Sequence, residues 1–226
     1  MQTGNTLYIA TSSTDWRARR LHNNYGSFTL SLDGESQYFP SVTQFMEMIK
    51  HPEHLGWEHL DGTALTFDTT QEMVVEKEKD QDRSLFLVGY MHGRPYNPVV
   101  YHMNKPLNRR ELLKHCSPSA VQKIASRLHS GRIVVYLFGK IYQYGSSEHI
   151  NLIELAIRAK FSQNDRDIKA LLATEGISLV YIPRCKKDST LFPAARFCKL
   201  LTTIRDEGIA KRDAYRNCNK MLPVEE

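Results

Sequence analysis

In 38-YFPSVTQFMEMIKH-51 the apolar residues recur at helical spacing, with Val42, Phe45, Met46 and Ile49 on one side. Ser41 followed by Gln44 has the spacing of a capping box, and His51-Pro52 stops the helix. Thr43, Glu47 and Lys50 form a second, polar stripe at i, i+4 and i+7, roughly 115° from the centre of the apolar one. Two alternating runs precede this helix, 6–12 (TLYIATS) and 27–33 (SFTLSLD), and both predict strands. Between them DWRARRLHNNYG is a basic, Asn- and Gly-bearing segment expected to be a loop.

Beyond the helix the pattern turns to short β-rich runs at 63–68, 84–91 and 97–103, with the sign-alternating EKEKDQDR (76–83) as a solvated connection. Ser117-Pro118 has the cap and first-turn proline of a helix, SAVQKIASRL, ending near Gly131. IVVYLF and IYQY flank Gly139-Lys140, which predicts a tight hairpin over 131–146. Helices follow at 147–161 and 165–174, the second closed by Gly176. A strand at 177–182 and a last helix at about 193–206 complete the order, and 207–226 is expected to be a loosely attached polar tail. Helices and strands mix without regular alternation, so the expected class is α+β, in one domain over 1–206.

Composition narrows the function classes. The chain has 226 residues, 41% hydrophobic and 24% charged, enough for one substantial core. No apolar run reaches bilayer-spanning length and the N-terminus lacks a secretory pattern, so a cytoplasmic, intracellular location away from membranes is expected. A net charge of +5 favours anionic partners. Cys116, Cys185, Cys198 and Cys218 are widely separated, with no zinc-ligand spacing, so neither a metal nor any other cofactor is expected. Phosphate loops, dinucleotide fingerprints, H-E-x-x-H and nucleophile elbows are all absent.

What remains is the Thr43/Glu47/Lys50 stripe and three basic segments: 17-RARRLHNNY-25, 105-KPLNRRELLKH-115 and 184-RCKKDS-189. As an exposed i, i+3 ion pair, Glu47 and Lys50 would contribute only about 0.2–0.5 kcal/mol. As chemistry, they need a lysine sheltered enough to be neutral part of the time, beside a carboxyl that moves protons. Asn23, Asn24 and Tyr25 are turn residues, or groups that orient a sugar or base. Lys186 and Lys187 are a solvated loop, or a phosphate clamp.

The segment 21-LHNNYGSFTLSLDGESQYFPSVTQFMEMIK-50 resembles the opening of the NADAR family. 117-SPSAVQKIASR-127, 154-ELAIRAKFSQNDRDIKALLATEGISLV-180 and 196-RFCKLLTTIRDE-207 are similar to its later blocks. The likeness covers roughly 21–50 and 110–206 and leaves a β-rich insert at about 53–105 and the 131–146 hairpin. It implies a single NADAR-like α+β domain with N-glycosidase chemistry. Members of that family hydrolyse ribosylamino-pyrimidine phosphates of the riboflavin pathway or remove ADP-ribose from guanine bases. The implied ligand is thus a phosphorylated ribosyl or ADP-ribosyl group, ADP-ribosylated nucleic acid included.

The same resemblance sets Lys50 at the family's helix lysine, which can form an imine with the opened sugar, and Asn23 at its S-N-F asparagine. The catalytic groups expected are Lys50 and the retained Asp188, which the resemblance implies, with Glu47 as a carboxylate on the Lys50 face of the helix. Asn23, Tyr25, Thr43, Gln44, Tyr181, Arg20 and Lys187 would contact substrate. The departures are specific: Thr43 and Gln44 stand where the family has Glu and His, and Tyr181 replaces another Glu. Glu47 takes a family Gln position one turn from Thr43, where a relocated carboxylate could work. Loss of two acids also fits a lapsed enzyme that still binds nucleotide or ADP-ribose, or an interaction protein on this fold. So divergent a member would suit a viral or mobile-element gene.

Overall fold

A computed structural model describes residues 5–51, 89–91, 94–96, 99–102, 105–118, 120–121, 134–183 and 191–220. The chain opens with β1 (Thr6–Ile9) and α1 (Trp16–Leu21). Helix α1 lies where a basic loop was expected. Its initiating signal is Asp15, whose carboxylate accepts the Arg17 N–H at 2.8 Å, and Ala18 and Leu21 point into the core. A hairpin follows, β2 (Phe28–Leu32) and β3 (Glu35–Phe39), paired from Phe28↔Phe39 to Leu32↔Glu35. The polar run ESQYF conceals β3, but Asp33-Gly34 has the positive φ values, 53° and 86°, of a two-residue type I′ turn.

Helix α2 (Val42–Met48) comes next, at the predicted place and with Ser41 as its cap. The region of the expected insert holds two hairpins, β4 (Gly89–Met91) with β5 (Arg94–Tyr96), and β6 (Val99–His102) with β7 (Lys105–Asn108). The strand expected at 63–68 and the run 76–83 lie outside the described residues. Helix α3 (Arg109–His115) leads to Ser117, whose carbonyl accepts the N–H groups of Ala120 and Val121. Only this first turn of the helix expected at 117 is described.

The next hairpin, β8 (Val134–Leu137) with β9 (Lys140–Gln143), turns at Phe138-Gly139, one residue earlier than expected. A type I′ turn needs positive φ at both central residues, and Phe138 (49°) and Gly139 (67°) supply it. Then come α4 (Ser147–Gln163), α5 (Asp165–Leu172), β10 (Ser178–Tyr181) and α6 (Ala194–Lys220). Strand β10 pairs in parallel with β1, Thr6↔Ser178 to Ile9↔Tyr181. Helix α6 does not stop near 206. It continues to Lys220, into the segment expected to be a loose tail, where Arg212 bonds Glu175 and Asp213.

The architecture is α+β. Among the described residues the strands form only two-stranded pairs, and no helix is long and apolar enough to cross a membrane. The core forms where α4 buries Leu152, Ile153, Ala156, Ile157 and Phe161. Phe28, Phe39 and Phe45 pack with ring centroids 4.9–6.0 Å apart and tie the β2–β3 hairpin to α2. Arg110, from the second position of α3, is buried. It donates to the carbonyls of His51 and Tyr136 and to Gln37, joining α3 to the end of α2, to β8 and to β3. On its outer edge β2 meets α4 through one side chain: Gln163 accepts from the Thr29 N–H and donates to the Thr29 carbonyl, both at 2.7 Å.

Candidate functional site

The first turn of a helix leaves N–H groups without intrahelical partners. In α2 the Ser41 hydroxyl accepts from Gln44 N at 3.1 Å, and the Asn23 carbonyl accepts from Thr43 N at 3.1 Å. The Thr43 hydroxyl donates to Asn24 Oδ1 at 2.7 Å. The His22–Asn24 loop is thereby fastened to the start of α2, one turn from Glu47. Gln44 Oε1 accepts from the Ser41 hydroxyl at 2.9 Å, returning the bond that the Gln44 N–H gives it. Its amide nitrogen donates to the carbonyls of Leu113, Lys114 and Cys116, at the end of α3, and the side chain is fully buried.

The polar stripe is not a surface stripe. Lys50 Nζ lies 2.7 Å from Glu47 Oε1, and these side chains are only 12% and 21% exposed, while Thr43 is buried. An ion pair so shielded sits in a lower dielectric than an exposed one, where its charges act more strongly on neighbouring groups. One such neighbour is His149, at the first turn of α4. Burial, and secondarily the Lys50 charge, pushes its pKa down to about 4. Its Nδ1 accepts from the Gly145 N–H at 3.0 Å, which leaves the proton of the neutral ring on Nε2. The Tyr144 ring packs 5.0 Å away.

On the other side of the loop is a buried charge cluster. Lys160 of α4 is fully buried, and its ammonium donates to the carbonyls of Arg20 (2.8 Å) and His22 (2.9 Å). Burial above all, offset by the Asp167 carboxylate and reinforced by Arg20, lowers its pKa to about 7. Asp167 is pushed upward by its own burial. Its oxygens have no hydrogen-bond donor among the described residues, and Arg20 Nη1 stands 3.7 Å away. His22 is neutral, with a pKa of about 4 set by burial and then by the Lys160 charge. Its Nδ1 accepts from the Asn24 N–H at 3.1 Å, so Nε2 carries the proton and faces the Tyr181 hydroxyl at 3.3 Å. Asn23 Oδ1 is buried without a donor among the described residues.

Thr43, Glu47 and Lys50 thus share one sheltered face, with Asn23 and Asn24 at its upper end. Tyr181 joins the loop through His22 and packs edge-on against Phe197 at 5.1 Å. The arginines of the first basic segment have local roles. Arg17 pairs with Asp15 at 2.8 Å, Arg19 lies 6.0 Å over the Tyr25 ring, and Arg20 faces Asp167. Lys186, Lys187 and Asp188 lie outside the described residues. His22, His149, Lys160 and Asp167 were not among the residues singled out from the sequence. For Lys160 a signal existed: it continues the stripe of Ile153, Ala156 and Ile157 at helical spacing, a lysine on an otherwise apolar face.

The two histidines predict a pH response of stability. Their folded-state pKa values, about 4, lie below the ordinary 6.5, so between these limits the unfolded chain binds more protons. Stability present above pH 6.5 is therefore lost as pH falls toward 4, by roughly 3 kcal/mol per histidine at most. The raised pKa of Asp167 offsets part of this, because the folded chain keeps that proton to higher pH. Lys160 acts in a separate window: stability rises from about pH 7 to 10.5 as the folded chain sheds its proton first. Urea midpoints at pH 4.5 and 6.5 check the first window. In a His149→Gln variant the difference between them should shrink by about half.

No family model matches the chain, and no curated protein is similar to it in sequence. Among solved structures, the chain is similar to the NMR structure of the E. coli protein YbiA. The match covers 94% of this chain and 89% of that one, with 13% identity and a TM-score of 0.45.

Proposed function

We propose that the chain is an N-glycosidase-type hydrolase that cleaves the bond between ribose C1 and a base nitrogen in a ribosyl-phosphate or ADP-ribosyl substrate, free or on nucleic acid. The observation that carries this reading is the Lys50–Glu47 pair, in contact at 2.7 Å and largely closed to solvent. The NADAR-like motifs supply the choice of substrate class.

A single proton transfer within the pair, from the Lys50 ammonium to the Glu47 carboxylate, yields a free amine and a carboxylic acid together. As the sugar ring opens, the C1–O bond breaks and C1 becomes an iminium to the base nitrogen. The Lys50 amine adds at C1 and passes one of its protons to the opened ring oxygen, Glu47 gives its proton to the departing base, and the C1–base bond breaks to leave a protonated C1=Nζ imine. Water then hydrolyses the imine, releasing the sugar aldehyde and restoring the amine. Asn23 and Asn24, tied to the start of the stripe through Thr43, would orient the sugar. Gln44, with its amide committed to three carbonyls, takes no part.

Reductive trapping tests the reading. Incubating the protein with ribose 5-phosphate or ADP-ribose and borohydride should leave a reduced sugar adduct on the Lys50 peptide, seen by mass spectrometry. Release of ADP-ribose and guanosine from ADP-ribosylated guanosine should accompany it. Absence of both adduct and release overturns the hydrolase. Ligand binding in that case would favour the lapsed binding module, the reading that Thr43 supports by spending its hydroxyl on Asn24.

A further inference from the structure

We infer that Lys160, backed by Asp167, is a positioning residue for the Asn23–Asn24 loop, and through Thr43 for the sheltered face that carries Lys50 and Glu47; this rests on the function proposed above. Two helix ends depend on this loop. Helix α1 is short, and its last carbonyls need donors from elsewhere. The Lys160 ammonium supplies them at the carbonyls of Arg20 and His22, and a cation is favoured at a helix C-terminus. The chain then leaves the helix at His22 in an extended conformation, φ −67° and ψ 144°.

From the next residue on, the same loop serves the opposite need. The Asn23 carbonyl takes the Thr43 N–H, one of the unmatched donors of α2, and Asn24 takes the Thr43 hydroxyl. Inside the loop, the Asn24 N–H bonds the ring of His22, whose own carbonyl Lys160 holds. A continuous series of hydrogen bonds thus runs from Lys160 through His22 and Asn24 to Thr43, the first residue of the stripe that ends in Glu47 and Lys50.

Lys160 is not itself a ligand-binding amine. Gly26 closes the space over it, since a Cβ there would overlap Asp167 Oδ2 and lie 2.8 Å from Lys160 Cε. The charged and titratable groups facing it are Asp167 from α5, Arg20 from α1 and His22 from the loop. Retaining a buried lysine is costly unless its donors are well used, and here two of them fix the loop that carries both asparagines.

Amide hydrogen exchange by NMR on the full chain tests the inference without any substrate. In Lys160→Met, which keeps length and removes the donors, exchange at Asn24 and Thr43 should rise about tenfold or more, while Ile153 and Ile157 in α4 keep their protection. Equal acceleration at all four amides would make Lys160 a general core residue and overturn the inference. Unchanged exchange at Asn24 and Thr43 would overturn it as well. Should the variant not fold, the unmodified chain decides. A slowly exchanging Lys160 Nζ–H resonance with cross-relaxation to the amides of Leu21 to Asn23 supports the inference, and its absence refutes it. A chain that passes this test but traps no sugar on Lys50 refutes the hydrolase alone.

Discussion

Gly26→Ala is expected to destabilise the chain by roughly 3–5 kcal/mol, combining left-handed backbone strain with overpacking of a closed site. Gly26 holds φ at +79°, and the added methyl carbon would overlap Asp167 Oδ2 and press on the Lys160 stem. Lys160 is tied to two carbonyls and the Asp167 side chain is buried beside it, so making room displaces packed groups. Gly34 isolates the conformational part. Its φ is +86° and nothing lies within 4 Å of a Cβ built there, so Gly34→Ala should cost only about 1–2 kcal/mol. Urea midpoints of the two variants measure the difference. Equal losses would mean that the cradle around Asp167 and Lys160 yields freely, contrary to the packing described.

Glu47→Gln should lower the rate of base release by about 10²-fold or more, the scale of a positioned acid or base, with little change in fold. Glutamine is nearly isosteric and keeps an oxygen for Lys50, so the helix and the contact survive while the transferable proton is lost. Lys50→Ala should abolish release altogether, since an imine needs an amine. Steady-state rates on ADP-ribosylated guanosine for both variants decide the roles. If Glu47→Gln turns over at the parent rate, the carboxylate at 47 moves no proton, and Asp188 becomes the acid to replace next. Thr43→Glu should rescue a Glu47→Gln background only partly, because it sacrifices the Thr43–Asn24 bond that secures the loop.

Legibility in the sequence followed the physics of each segment. The α2 cap, the apolar stripe of α4 and the β8–β9 hairpin were readable because each is decided by residues close together in the chain. Helix α1 and strand β3 were concealed by polarity. Arg17, Arg19 and Arg20 suggest a solvated loop until Asp15 is seen to cap them, and ESQYF lacks alternation because β3 is mostly exposed and only Phe39 anchors it. The exposed second half of α6 likewise has no apolar stripe to announce it. In the candidate site, helical spacing brought Thr43, Glu47 and Lys50 together, but their shelter comes from segments distant in sequence, His22–Asn24 and the start of α4. The roles of Lys160 and Gln44 were invisible for the same reason, since the carbonyls they serve lie 138–140 and 69–72 positions away.

The carboxamide of Gln163 has a consequence for how the chain behaves in a crowd. A strand with one unpaired edge offers its N–H and C=O groups as a template on which another strand can add. At Thr29 both groups are already taken, by one side chain whose amide reproduces the donor and acceptor of a peptide unit. With Thr29 occupied, an incoming strand would find outward-facing backbone groups only at Ser31 on that side of the hairpin, too short a foothold for a ladder. A single glutamine at the end of α4 thus stands where a neighbouring strand's peptide unit would, and leaves the β2 edge little on which another strand could add.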